Sequence, residues 1–186
     1  MSVVWQWQRN RGDRRRRSGD GLAPPPPLSD PEFVAGLRPI PSGGLGVEMA
    51  RPAPDIAGTD PAGAPVSIRM DEFADAVLLA FLHLKCQGCE EFWRGFGDNS
   101  RAELPPGTSV AIVTKGPASV TPHEIRRAAA GIGRIPVIMS EEAWTDYRVL
   151  GYPFFVLVDP ATRTVVGETV GFGWDDVVSM IRAAGR

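Results

Sequence analysis

The sequence predicts an α/β fold in which helices flank a mixed central sheet. Apolar runs of strand length alternate with segments of helical periodicity from about residue 51 to the carboxyl end. Several of these runs are apolar throughout, as in strands that are buried on both faces. Two strand-like runs near the end are separated only by a short turn. We therefore expect mostly parallel central strands and an antiparallel hairpin near the end of the chain.

The first fifty residues show no usable periodicity and are predicted to form a flexible extension. Residues 1–20 carry six arginines and two aspartates, a net charge of +4, and the proline-rich stretch LAPPPPLSDP follows. The predicted division is a disordered basic and proline-rich tail with its linker over residues 1–51, and a folded domain over residues 52–186. Because the whole chain has a net charge of −2, residues 21–186 carry −6, which argues against binding of nucleic acid by the domain.

The sequence contains no candidate membrane span. No stretch approaches the roughly 20 apolar residues that a spanning helix requires, and the start SVVW is too short for the apolar region of a signal peptide. The chain as written is therefore predicted to be cytoplasmic. A short apolar start before an arginine cluster is also typical of the end of a truncated membrane helix, so the alternative is a membrane-anchored protein whose true start lies upstream.

The first half of the folded region is predicted to contain two strands and a helix. PVSIRM (65–70) is a short strand candidate, and DEFADA (71–76) is a helical turn or loop. The continuous apolar run VLLAFLHL (77–84) is typical of a strand that is buried on both faces. A helix is expected to begin at the cysteines and to carry EEFWRGFGDN.

The second half continues the alternation. SVAIVT (109–114) is rich in β-branched residues and predicts a strand. TPHEIRRAAAGIG has the signals of a helix start, with Thr121 as the N-cap. IPVIM predicts a strand, and SEEAWTDYRVL predicts a helix capped by Ser140. FFVLVD (154–159) and TVVGETVG (164–171) predict the hairpin, and GWDDVVSMIRAAG predicts a final amphipathic helix.

The only two cysteines form a C-x-x-C motif where the buried strand meets the helix. Unpaired N–H groups and the helix dipole stabilise negative charge at this position, which favours the thiolate form of Cys86. Lys85 adds to this effect if its ammonium group points towards the sulfur. Cys89 lies one turn later and is expected to be shielded, as a thiol that resolves a mixed disulfide requires. The motif predicts a redox-active dithiol that needs no dissociable cofactor and no metal.

Two other interpretations of the cysteines stay open. A zinc site requires three or four protein ligands, and beyond the cysteines the chain offers His83, His123 and carboxylates. His83 is predicted to lie on the strand before Cys86 and could approach the sulfurs, although such a histidine more often serves packing. A zinc or copper site is thus one alternative. A binding module with inert cysteines is the other.

Four stretches resemble the thioredoxin-like superfamily, in particular thiol–disulfide oxidoreductases of the TlpA/ResA/MauD type: APDIAGTDPAGAPVSI, VLLAFLHLKCQGC, IPVIMSEEAWTDYRVLGYPFFVLVD and TVVGETVGF. The resemblance covers about residues 52–184. It implies a thioredoxin-like fold and exchange of the Cys86–Cys89 dithiol with the disulfide of a protein partner. It also implies that Pro153 packs opposite the motif after a cis peptide bond, and that Tyr152 and Pro153 bind the partner.

The chain departs from that family at three positions. Lys85 stands where the family usually has tryptophan, and Gly88 stands where proline is common. Ala80 occupies the place of a buried acid found in thioredoxins proper, so proton transfer from Cys89 needs another group or water. Because Lys85 directly precedes Cys86, we count it among the candidate binding residues.

Overall fold

The computed structural model describes residues 51–97 and 104–185. The predicted tail lies outside the described residues, apart from its last residue, Arg51. The described part contains seven strands: β1 (Ile56–Thr59), β2 (Pro65–Ile68), β3 (Val77–Phe81), β4 (Ser109–Thr114), β5 (Val137–Met139), β6 (Phe154–Asp159) and β7 (Thr164–Val170). Its α-helices are α1 (Gln87–Gly97), α2 (Pro122–Ala128), α3 (Glu141–Asp146) and α4 (Trp174–Ala184). Short 3-10 turns span Met70–Glu72 and Ala129–Gly131.

The strands form one mixed sheet in the order β2-β1-β5-β4-β3-β6-β7. The three central strands β3, β4 and β5 are parallel, while β6 is antiparallel to β3 and β7 completes the predicted hairpin with β6. This arrangement confirms the predicted α/β class. At the other edge, β1 pairs antiparallel with both β2 and β5.

The core lies on both faces of the sheet because the central strands are apolar on both sides. In β3, Leu78 and Ala80 face one apolar cluster, whereas Val77, Leu79 and Phe81 face the other. Helices α1 and α4 cover the first face with Cys89, Phe92, Trp93, Phe96, Val177, Val178 and Ile181. Helix α3 covers the second face with Ala143, Trp144 and Tyr147. Helices therefore flank the sheet, as predicted.

Local signals account for where two helices begin. The hydroxyl of Thr121 accepts a hydrogen bond from the backbone of Glu124, whose carboxylate accepts one from the backbone of Thr121. This reciprocal pair is the predicted capping box. Ser140 caps α3 by accepting from the N–H of Ala143 at 3.2 Å, so both predicted caps are confirmed.

Several assignments made from the sequence differ from the structure. β3 ends at Phe81 rather than at residue 84, because the N–H of Leu82 makes the last bond to β4 and that of His83 turns to the sulfur of Cys89. His83 therefore lies in a turn and not on a strand. Helix α3 ends at Asp146, two residues before Arg148 adopts a φ of 55°. The prediction also missed β1 (Ile56–Thr59), a four-residue strand in which only Ile56 is buried.

No helix in the described part of the chain is both long enough and apolar enough to cross a bilayer.

Candidate redox site

The two cysteines lie at the carboxyl end of β3, where the chain turns into α1. Cys86 directly precedes the helix and is partly exposed, whereas Cys89 lies in its first turn and is fully buried. Both are free thiols. The N–H of Cys89 points to Cys86 and donates to its Sγ at 3.2 Å and to its carbonyl oxygen at 3.1 Å. The start of α1 thus presents a backbone donor to the sulfur of Cys86, as the sequence pattern predicts.

The turn before β6 forms the opposite wall of the site. The Tyr152–Pro153 peptide bond is cis, as the resemblance implied. The Sγ of Cys86 lies 3.7 Å from the carbonyl oxygen of Tyr152 and donates a hydrogen bond to it. Pro153 is buried, while the side chain of Tyr152 is 43% exposed. Sheet register explains this meeting: Phe81 pairs with the antiparallel Phe154, so the end of β3 and the start of β6 share one edge.

Gly88 allows the turn to approach the motif closely. A Cβ atom at this position would lie 3.3 Å from Cδ of Pro153 and 3.9 Å from Sγ of Cys86. The first contact is tighter than van der Waals packing normally permits. The absence of a side chain at Gly88 therefore lets Pro153 lie close to the start of α1.

Burial sets the chemistry of Cys89. Burial, and then the hydrogen bond to the Cys86 sulfur, raise the pKa of the Cys89 thiol well above its ordinary value. The N–H of His83 donates to the same sulfur at 3.4 Å and acts in the opposite direction. Ala80 lies in the same apolar cluster as Cys89. At neutral pH, Cys89 is a protonated thiol held behind Cys86.

Lys85 lies in the turn between β3 and Cys86, and its side chain is exposed. Its backbone N–H donates to Nδ1 of His83 at 3.0 Å. A role for its ammonium group towards the sulfur stays a prediction.

The site is bordered by a row of side chains, and the sequence did not predict that these side chains lie together. The ring of His83 stacks on that of Tyr152, with centroids 4.9 Å apart and an interplanar angle of 17°. Tyr152 meets the edge of Trp144 at 5.7 Å, and the ammonium group of Lys115 lies 4.6 Å from the centre of the Trp144 ring. Lys115 also forms an ion pair with Glu141 at 2.7 Å. Only the position of His83 next to the motif could have signalled this row, since its other members come from distant parts of the chain.

The histidines do not assemble a metal site with the cysteines. His123 lies exposed in the first turn of α2, on a different element from the motif. Among residues 51–97 and 104–185, no group of three or more histidine, cysteine or acidic side chains is arranged to hold a metal ion.

The sheet order, the flanking helices and the C-x-x-C motif opposite a cis proline together define a thioredoxin-like fold, and comparison with solved structures confirms it. A thiol:disulfide interchange protein of the thioredoxin family from Chlorobium tepidum is 19% identical with a TM-score of 0.56, covering 73% of this chain and 97% of that one. A thio-disulfide isomerase from Thermus thermophilus is 20% identical with a TM-score of 0.56, covering 75% and 98%. A putative thiol:disulfide interchange protein from Chlorobium tepidum is 23% identical with a TM-score of 0.54, covering 73% and 96%.

At these identities the likeness establishes the fold of the chain. No protein-family model and no curated protein matches the sequence.

Proposed function

We propose that this chain is a thiol–disulfide oxidoreductase whose Cys86–Cys89 pair exchanges with the disulfide of a protein partner. The observation that carries the proposal is the contrast between the cysteines: Cys86 is accessible at a helix start, and Cys89 is buried and protonated directly behind it. The similar structures from Chlorobium tepidum and Thermus thermophilus are described as disulfide interchange or isomerase proteins, which supports the same chemistry.

In the first step, the Cys86 thiolate attacks one sulfur of the partner's disulfide. The Cys86–partner disulfide forms, the partner's S–S bond breaks, and the second partner sulfur leaves as a thiolate. The N–H of Cys89, 3.2 Å from the Cys86 sulfur, stabilises the attacking anion.

The second step follows from a change in the surroundings of Cys89. The mixed disulfide removes the negative charge and the hydrogen-bond acceptor of Cys86, two of the causes that hold Cys89 protonated. The proton of Cys89 then passes through water to the released partner thiolate. The Cys89 thiolate attacks Sγ of Cys86, the intramolecular disulfide forms, and the remaining partner sulfur leaves and takes a proton from solvent.

In total, two electrons pass from the dithiol to the partner. The reverse sequence oxidises a dithiol partner, and the relative reduction potentials set the direction.

The walls of the site suggest how the partner is held. Tyr152 is partly exposed, and Pro153 packs against Gly88 between the two cysteines. Lys85 places an exposed cation next to the nucleophile. We infer that Tyr152 and Pro153 contact the partner's backbone and that Lys85 favours partners with an acidic side chain near the reactive cysteine.

Trapping of the mixed disulfide tests the proposal. The Cys89→Ser variant lacks the resolving thiol, so it should retain the partner covalently through Cys86. Cell extract is incubated with this variant under mildly oxidising conditions, and adducts are separated on non-reducing gels and identified by mass spectrometry. Cys86→Ser and the double variant are the matched controls and should capture nothing. A Cys89→Ser variant that yields no more adduct than the double variant contradicts exchange and favours the binding-module alternative.

For the compartment, we propose a cytoplasmic location, with membrane anchoring as the alternative. Cell fractionation combined with peptide mapping of the native amino terminus distinguishes the two.

A further inference from the structure

His83 contacts three parts of the site, although the exchange steps above do not use its side chain. Its ring stacks on Tyr152, its Nδ1 accepts the N–H of Lys85, and its backbone N–H donates to the sulfur of Cys89. One residue therefore contacts the wall opposite the motif, the turn that leads into Cys86, and the resolving thiol.

We propose that His83 is a positioning residue of the exchange reaction, which holds the Tyr152 turn and the segment before Cys86 in register with each other. The inference rests on the proposed function, since it assigns a role in the reaction of the same cysteine pair. His83 touches no reacting atom with its ring and acts through Tyr152 and Lys85.

The stacked ring supplies the first half of this role. Tyr152 is 43% exposed, and its ring makes a T-shaped contact with that of Trp144, with centroids 5.7 Å apart. The face-to-face contact with His83 at 4.9 Å adds a second support to the same ring. Aromatic pairs of this kind stabilise a local geometry beyond simple burial. Because the carbonyl of Tyr152 accepts from Cys86, the orientation of Tyr152 bears directly on the nucleophile.

The bond to Nδ1 supplies the second half. It restrains the turn directly before Cys86, and it exists only while Nδ1 carries no proton. Burial, followed by the charges of Lys85 and Lys115, lowers the pKa of His83. Glu141 offsets Lys115 through its ion pair. His83 is therefore neutral at pH 7 and available as an acceptor, whereas in acid a protonated Nδ1 would face the N–H of Lys85 as a second donor.

Three substitutions separate the stacking of the His83 ring on Tyr152 from the hydrogen bond that its Nδ1 accepts. His83→Phe keeps a ring that can stack but has no acceptor, His83→Asn keeps an acceptor two residues before the Lys85 N–H but has no ring, and His83→Ala has neither. His123→Ala removes the other histidine of the chain, which lies exposed on α2, and serves as the control. The readout is the rate at which dithiothreitol, a dithiol that itself becomes a cyclic disulfide, reduces the Cys86–Cys89 disulfide of the full chain.

We expect His83→Ala to slow this reduction roughly fivefold, and His83→Phe and His83→Asn to slow it about twofold each. His123→Ala should react like the wild type. The ratio of the wild-type rate to the His83→Asn rate should fall as the pH drops through the pKa of the His83 ring, which an NMR titration of the ring protons locates, because only the wild type loses its acceptor by protonation. In a Tyr152→Leu background, His83→Phe and His83→Ala should react equally.

Several outcomes overturn the inference. If the wild-type disulfide is not reduced, the proposed function fails and the inference fails with it. If the wild type reacts and His83→Ala reacts at the same rate, only the inference fails. Equal losses in all three variants, in proportion to a common fall in melting temperature, indicate a role in folding alone. A rate ratio that stays constant while NMR shows the His83 ring becoming protonated removes the role of Nδ1, and unequal rates in the Tyr152→Leu background remove the role of the stacked ring.

Discussion

At the scale of single residues, two cysteines separated by two positions have different chemistry because one sulfur faces solvent and the other faces the core. Cys89 is fully buried among the side chains of α1 and the sheet, and Cys86 is not. The difference follows from helical geometry, since the first residue of the pair lies before the helix and the second lies in its first turn on the core side. This asymmetry suits Cys86 to attack a disulfide and Cys89 to resolve the mixed disulfide afterwards.

Alkylation should report the asymmetry directly. At pH 7, iodoacetamide should modify Cys86 at least about tenfold faster than Cys89, because the reagent needs an accessible thiolate. Peptide mass spectrometry after short reaction times measures both rates in the reduced protein, and repetition in denaturant, where the two rates should converge, is the control. Equal rates in the native protein would show that Cys89 is not shielded.

The pKa of Cys89 predicts a dependence of stability on alkaline pH. The folded chain keeps the Cys89 proton above pH 9, near the ordinary pKa of a cysteine, whereas the unfolded chain releases it. The unfolded state then binds fewer protons, so the free energy of unfolding of the reduced protein should fall as pH rises above 9, by up to about 1.4 kcal/mol per pH unit. Below pH 9 this contribution is fully present.

Urea titrations of the reduced protein between pH 8 and pH 10.5 measure this slope. The Cys89→Ser variant is the comparison and should show a shallower decline by up to that amount. Burial also raises the pKa of Tyr147, but that contribution is common to both proteins. Parallel curves for the two proteins would contradict the assignment.

At the scale of elements, α1 shows how packing can reverse an intrinsic preference. Gly95 lies in the interior of this helix, where alanine is normally preferred by up to about 1 kcal/mol. A Cβ atom at this position would lie 2.6 Å from Cζ2 of Trp174, the first residue of α4. The glycine therefore lets α1 and α4 pack closely, and it supports the helix that carries the motif.

Gly95→Ala should accordingly lower the free energy of unfolding by about 1–3 kcal/mol, as expected for overpacking. In a Trp174→Ala background, the same change should be neutral or stabilising, because the obstructing ring is absent. Denaturant titrations of the four proteins complete the cycle. A stabilising effect of Gly95→Ala in the wild-type background would contradict this prediction, because it would show that the Trp174 ring can move aside without loss of stability.

At the scale of the whole molecule, the segment before β1 belongs to the sheet through contacts with its far edge. The carbonyl of Arg51 accepts from the N–H of Val165, and the N–H of Ala53 donates to the carbonyl of Arg163. The guanidinium group of Arg51 binds Glu168 and donates to the carbonyl of Tyr147. We propose that residues 1–50 form a separable tail and that the cooperative fold begins with these contacts.

Two truncations test that proposal. If the proposal holds, a chain that begins at Arg51 should retain the melting temperature within about 2 °C and the rate of disulfide reduction, since the removal of a separable terminal segment costs a domain little stability. A chain that begins at Ile56 loses the seven hydrogen bonds of residues 51–55 and should be destabilised by at least about 3 kcal/mol, at about 0.5 kcal/mol or more for each lost bond. Thermal and urea unfolding measure both. A large effect of the first truncation would show that the tail takes part in the fold.

The sequence alone was sufficient where the signals are local. Residue type and periodicity located β2 to β7 and the four α-helices of the described residues, and the caps at Thr121 and Ser140 were correct because capping involves residues three apart. The predicted ends of strands were wrong where a tertiary contact determines where the element ends. The strand β3 ends before the predicted residue because the N–H of His83 donates to the sulfur of Cys89 instead of to a neighbouring strand. The four residues of β1 have too weak a hydrophobic pattern to be recognised without their partner strands.

The same division holds for the site. The pair Cys86 and Cys89 could be predicted from the sequence, since a C-x-x-C motif between a strand and a helix is contained in one short segment. The resemblance to a family added Tyr152 and Pro153. Only the tertiary structure brought that turn within 3.7 Å of the Cys86 sulfur and placed the ring of His83 on Tyr152. The physical reason is the antiparallel register of β3 and β6, which joins segments more than sixty residues apart at one edge of the sheet and which no local pattern encodes.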